Sequence, residues 1–412
     1  MQCRRIIYGL PVALAVLFAA ACTKEAPADS GSIRFQRTLL VWLGGDNNLS
    51  RETAAKIAAI NSGWIPERTA CLIYEDTRDK GARLLRLYGT RSGTASAELL
   101  CEYGRENSAS AKIFGRVLDK VMTDYPAESY GLLFFSHGSG WLPEGMLQTP
   151  VPGTSLSKSL GWDEGVQSDG LDHAEMELTA FAAAIPDGAL DFVVFETCLT
   201  AGIEVAYELR NKTRYMLASP AEILSPGFTP VYGSSFRLLL DTSESLDKNL
   251  TAFGESYMRH VNTLGGDYRS ATLSLIATDA LDILAGRIRD MSPRFETPAG
   301  VAGWQRFDRP GSYGDTPALP RYFDLGQWME GFSDPAQYPV LEQLLKRIVK
   351  WKGNTKRFLP SRNGFEINRY SGLTVYLPRP EFGALNEAYR LTSWYKAVYV
   401  NKHINVITSG RV

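Results

Sequence analysis

Histidine is scarce in this 412-residue sequence, with only His137, His173, His260 and His403 present. No two of them have the HxxxH spacing that puts metal ligands on one helix face, so nothing argues for a histidine-built metal centre. The phosphate-cradling GxxxxGK motif, a dinucleotide fingerprint and the GxSxG serine elbow are also missing. Their absence removes the usual sequence arguments for a nucleotide-binding protein or a serine hydrolase. Neither sign of charge dominates: 44 Lys and Arg oppose 45 Asp and Glu, a net of −1, so no broad basic face points to nucleic acid. Five cysteines do not make a disulfide framework in a chain of this length.

What is present describes an ordinary globular protein, 44% hydrophobic and 22% charged, long enough for one large domain or two smaller ones. Its start is set apart. Arg4 and Arg5 precede an apolar run from about Ile6 to Ala21, after which Cys22 opens a polar, structureless stretch. That run is short and wrongly flanked for a membrane span, and it reads as a secretory signal. The placement of Cys22 resembles a bacterial lipoprotein signal, although Ala19 stands where such signals usually carry Leu. We therefore expect a lipoprotein-type signal peptide over 1–21, lipidation at Cys22 and a flexible tether over 22–37. The protein would be exported and membrane-anchored, in the periplasm or at the cell surface; an ordinary cleaved signal with Cys22 incidental is the alternative. Cys71, Cys101 and Cys198 remain as candidate thiols, and one Cys71–Cys101 bridge would leave Cys198 unpaired.

Beyond the tether, "RTLLVWLGG" has the continuous apolar character of a strand covered on both faces. "DNNLSRETAAKIAAINSG" predicts a helix carrying Ile57 and Ile60, capped by Asn48 or Ser50. "TACLIYED" and "ARLLRLYGT" predict two strands, and "SASAKIFGRVLDKVMTDYP" a helix on Ile113, Val117 and Val121 that Pro126 ends. Strands alternating with helices at this spacing predict a mostly parallel sheet with helices on both faces, whose functional groups collect beyond the carboxyl ends of the strands. We expect this core over 38–240 and a less regular α+β extension over 241–412 packed on it.

Two apolar strands stop on a reactive side chain: "YGLLFFSHGSGW" on His137 and "ALDFVVFETCLTAGIEVAYEL" on Cys198. A thiolate is a strong nucleophile, and Cys198 just before a helix would have its pKa lowered by the dipole and free amides. A neighbouring imidazole can take that proton and later protonate a leaving amine. The Gly138 and Cys198 amides are the natural donors to an oxyanion. Packing competes with catalysis as an explanation, since free cysteine is among the most buried residue types.

These stretches resemble the clostripain family of cysteine peptidases, in the caspase-like clan. "HGSGW" and "ETCL", running into "EVAYEL", are the specific motifs; "LLVWLGGDNNLS", "ASPAEILSPGFTPVY", "DLGQW" and "GLTVYLP" support them. The resemblance implies a caspase-like α/β/α sandwich acting as a monomeric endopeptidase on peptide or protein substrates, through a dyad of His137 as acid/base and Cys198 as nucleophile. It implies cleavage after Arg or Lys, gripped by carboxylates: Glu196, where the family usually has Asp, and Glu222. It also implies self-cleavage in the loop from Trp141 to His173, for which Lys158 is the basic residue present. Calcium dependence occurs in that family, but no ligand spacing here supports a site, so calcium is left open and no other cofactor is expected. A non-catalytic lipoprotein scaffold that keeps the fold, and a Cys-dependent amidase or transpeptidase, are the rival readings. Asp46 and Asn47 face the same sheet edge, where a turn-and-cap role suits them.

Overall fold

The computed structural model describes residues 34–89, 95–144, 160–165, 173–309 and 319–400. Cys22, the signal segment and Lys158 fall outside them.

"RTLLVWLGG" forms β1 (Arg37–Gly45), buried along its whole length. Its residues alternate between two apolar clusters, Leu40 and Trp42 in one and Leu39, Val41 and Leu43 in the other. Period-two alternation with both faces apolar is what a central strand between two helical layers requires. Around it lie β2 (Thr69–Thr77), β3 (Gly81–Gly89), β4 (Ala95–Gly104) and β5 (Tyr130–Phe135). A separate short ribbon joins β6 (Leu160–Asp163) to β7 (Ala174–Met176), and β8 (Leu190–Glu196) and β9 (Thr213–Ala218) follow. Among the described residues the main sheet has nine strands, in the order β12-β10-β9-β8-β5-β1-β2-β3-β4, where β10 is Thr272–Ala277 and β12 is Val349–Asn354. The short β11 (Phe323–Asp324) lies outside it. The five strands from β9 to β2 run parallel, and antiparallel partners close both edges.

Helices cover both faces. On one lie α2 (Ala111–Asp124), α3 (Leu178–Ala183), α4 (Ile203–Glu208) and α7 (Leu281–Asp290), contributing Phe114, Val117, Phe181, Ile203 and Leu284. On the other lie α1 (Ser50–Asn61), α5 (Thr229–Ser235) and α6 (Leu246–Asn262), contributing Ile57, Ile60, Tyr232 and Phe253. The Ser110 hydroxyl accepts the Ile113 amide to start α2, and the chain leaves the helix at Tyr125, the residue before Pro126. The result is a mixed α/β fold of the caspase-like type, with its mostly parallel sheet between helical layers. The region beyond 240 does more than pack on this core: β10 joins β9 and β12 joins β10, so it completes one edge of the sheet.

The Cys71–Cys101 bridge that the sequence left open is not formed. Cys71 is a free, fully buried thiol. It sits on β2 and Cys101 on β4, with β3 between them, and their side chains belong to opposite apolar clusters. Two strand spacings and opposite faces put them beyond disulfide reach. No described helix is long and apolar enough to cross a membrane.

Candidate active site

The neighbouring parallel strands β5 and β8 set the site. Phe135 and Glu196, their last residues, are paired in register. His137 lies two residues beyond the first and Cys198 two beyond the second. Parallel neighbours run about 4.8 Å apart, so the two chains leave the sheet side by side at the same level. Both residues line one cavity of about 760 Å³ at the carboxyl edge of the sheet.

Each is held from behind. The Nε2 atom of His137 lies 2.6 Å from Oδ1 of Asn48, in the turn after β1. Asn48 does not cap α1 as expected. The residue before that helix is Leu49, which makes no side-chain cap, and it is the Asn47 carbonyl oxygen of the side chain that accepts the Leu49 amide. The Asn47 amide group donates to the carbonyls of Gly44 and Trp162, tying the turn to β6. The His137 ring also lies 5.5 Å from that of Trp162, centroid to centroid. His173, its ring 4.6 Å from that of Trp162, is buried with Nε2 2.8 Å from Glu175 and does not line the cavity.

Cys198 is followed by a tight turn. Leu199 has φ of 60°, a left-handed conformation unusual for a branched side chain, while its amide donates to the Ala221 carbonyl. Gly140, also left-handed, presses against this turn, and a Cβ there would meet the Leu199 carbonyl oxygen at 2.4 Å. The helix expected immediately after Cys198 starts only at Ile203, so its dipole falls off before reaching the sulfur. Instead, burial pushes the Cys198 thiol up to about 12; Glu222 adds to the rise, and the Ile223 amide and the Arg309 guanidinium oppose it. That amide donates to Sγ at 3.4 Å. The shift runs opposite to the expected lowering. Cys198 lines the cavity, whereas Gly138, the other expected oxyanion donor, is not part of its lining and forms a bridge with Leu160.

Both candidate specificity carboxylates border the cavity, and both are already engaged. Glu196 is buried against Lys56, with 2.6 Å between Nζ and Oε1. The same carboxylate accepts the Phe228 amide at 2.5 Å and the Tyr232 hydroxyl. Gly227 passes so close that a Cβ would fall 2.2 Å from Glu196 Oε1. Glu222 is held by Arg309, Nε to Oε1 at 2.8 Å and Nη2 to Oε2 at 3.1 Å. Sequence reasoning missed Lys56, Arg309 and Asn48, and also Glu52, a cavity carboxylate with no ion pair among the described residues. Among the described residues no group of three or more His, Cys, Asp or Glu side chains is arranged to hold a metal ion.

The profile of the clostripain family matches residues 41–298. No curated protein matches the chain. Among solved structures, an inactive zymogen C11 protease from Parabacteroides distasonis is 26% identical, with a TM-score of 0.72 over 89% of this chain and 99% of that one. A secreted C11 cysteine protease from Bacteroides thetaiotaomicron, solved with an irreversible peptide inhibitor, is 24% identical, with a TM-score of 0.72 over 88% and 98%. A secreted C11 cysteine protease of the same organism, iotapain, is 22% identical, with a TM-score of 0.73 over 89% and 99%. The last two likenesses concern the fold alone.

Proposed function

The chain belongs to the clostripain family and is a cysteine endopeptidase, and on that premise we propose that Cys198 is its nucleophile and His137 its general acid and base. The observation that carries this reading is the register of β5 and β8, which brings the two side chains to the wall of one cavity from adjacent strands. Because burial keeps the resting sulfur protonated, His137 removes its proton as Sγ attacks the peptide carbonyl, rather than storing a thiolate beforehand. Negative charge then develops on the carbonyl oxygen, where the Gly138 and Cys198 amides are the expected donors. The imidazolium protonates the leaving amine, and water, deprotonated by the same ring, releases the acyl group from sulfur.

The favoured substrates carry Arg or Lys on the acyl side of the scissile bond. Glu222 is the carboxylate that fits this role, being at the cavity beside Cys198; Glu196 lies deeper with its charge met by Lys56 and shapes the wall. Self-cleavage after Lys158 and anchoring at Cys22 after export complete the proposal. The test uses purified mature protein and its Cys198→Ala variant with matched fluorogenic peptides ending in Arg, Lys, Asp or Asn. Cleavage by the wild type alone, strongest after Arg and Lys, is the expected result; activity that survives in Cys198→Ala overturns the assignment of the nucleophile.

A further inference from the structure

Arg309 reaches the cavity from a firmly anchored segment. Arg306 bridges Phe323 of β11, the Phe307 amide donates to the Tyr322 carbonyl at 2.9 Å, and the Arg321 amide donates to Asp308 at 2.8 Å. Phe307 and Asp308 are buried. The Tyr322 hydroxyl in turn donates to the carbonyl of Ser139, two residues from His137. The region beyond the catalytic motifs therefore delivers a guanidinium to the same cavity as the thiol, by a route built from main-chain and side-chain hydrogen bonds.

What Arg309 does there is chemically specific. Its Nε and Nη2 each take one oxygen of Glu222, the two-pronged pairing by which a substrate arginine would be recognised. Each side chain is 19% exposed, so the pair meets solvent at the cavity and is open to exchange, unlike the sealed Lys56–Glu196 pair. A carboxylate so engaged offers an incoming cation little attraction until its internal partner leaves.

We propose that Arg309 is an internal surrogate for the substrate's basic side chain, occupying Glu222 in the resting chain and competing with the arginine or lysine to be bound. This rests on the reading of Glu222 as the specificity carboxylate. Competition reduces apparent affinity by the fraction of chains in which Glu222 is free. If that fraction is about one in ten, removing the competitor tightens binding of a basic side chain about tenfold.

The experiment compares wild type, Arg309→Gln, Arg309→Lys, Glu222→Gln, Arg309→Gln/Glu222→Gln and Glu52→Gln on fluorogenic peptides ending in Arg or in its uncharged isostere citrulline. Arg309→Gln is expected to raise the Arg-to-citrulline ratio of kcat/KM about tenfold, chiefly through KM, and Arg309→Lys to raise it less. Glu222→Gln is expected to collapse the ratio in either background. Benzamidine binding to Cys198→Ala and Cys198→Ala/Arg309→Gln, followed by calorimetry, reads the same competition without turnover and should be tighter in the second. An unchanged or lower ratio in Arg309→Gln, with benzamidine bound no better, overturns the proposal. If Arg is still preferred in a Glu222-dependent way, only the competition fails. If the wild type shows no Arg preference, or the preference follows Glu52→Gln instead, the specificity reading fails with it.

Discussion

Asn48 Oδ1 stands 2.6 Å from Nε2 of His137, linking the turn after β1 to the tip of β5. An acceptor at Nε2 favours the ring form that carries its proton there, and it holds the imidazolium when the ring gains a second proton. Asn48 therefore acts as a positioning residue, through His137. A hydrogen bond to a charged group contributes about 1.5–3 kcal/mol, so Asn48→Ala should lower kcat roughly ten- to a hundredfold. KM should move little. Asn48→Asp keeps the accepting oxygen and should restore most of the rate; equal loss in both variants would reduce Asn48 to a turn residue.

How far such contacts could be read from the sequence differs by link. β1, β5 and β8 were legible because a strand buried on both faces leaves an unbroken apolar run, and their endings marked His137 and Cys198. The Asn48 contact was not, since an Asn before a helix looks like a cap and only the fold brings β5 beside β1. The helix after Cys198 was placed too early because the turn through left-handed Leu199 leaves no mark in an apolar stretch. Nor can a sequence show that Glu196 meets a lysine 140 positions away, and that pairing decides whether its charge faces substrate or protein.

That buried pair makes its own prediction. Lys56 is fully buried, donates to Glu196, the Pro226 carbonyl and Thr229, and lies 4.1 Å from the centre of the Phe135 ring. Replacing it with Met removes the positive charge and leaves the Glu196 carboxylate uncompensated in the core. The expected cost is about 3–5 kcal/mol of unfolding free energy in urea titrations. Lys56→Met/Glu196→Gln should recover much of this, because no lone charge stays behind. If the single variant is as stable as wild type, the ion pair is not what holds β8 to α1.

A second buried carboxylate sets a pH dependence. Asp76, at the end of β2, is buried beside Asp163 and Asp46, and burial followed by repulsion from those two raises its pKa from 3.8 to about 8. The folded chain thus holds this proton more tightly than the unfolded chain does. Its stability contribution is full below about pH 4 and is lost as pH rises towards 8. Urea midpoints should therefore fall between pH 5 and about 8, and fall less in Asp76→Asn, which carries no charge to bury. Parallel pH profiles in the two proteins would show that Asp76 is ionised in the folded state throughout.

The state of the proposed nucleophile can be tested directly. With the Cys198 thiol held up to about 12 by burial first and Glu222 second, little thiolate exists at neutral pH. Alkylation of Cys198 by iodoacetamide should be slow at pH 7, and should climb with pH without levelling off by pH 10, since the thiolate is the reacting species. Glu222→Gln removes one cause of the rise and leaves Arg309, which opposes it, unpaired, so the same reaction should become faster at every pH. Cys71 is sealed in the core and should stay unlabelled in the folded protein, and the signal missing from Cys198→Ala is that of Cys198. A rate that plateaus near neutral pH would instead mean a stored thiolate, and proton transfer to His137 would then precede substrate binding.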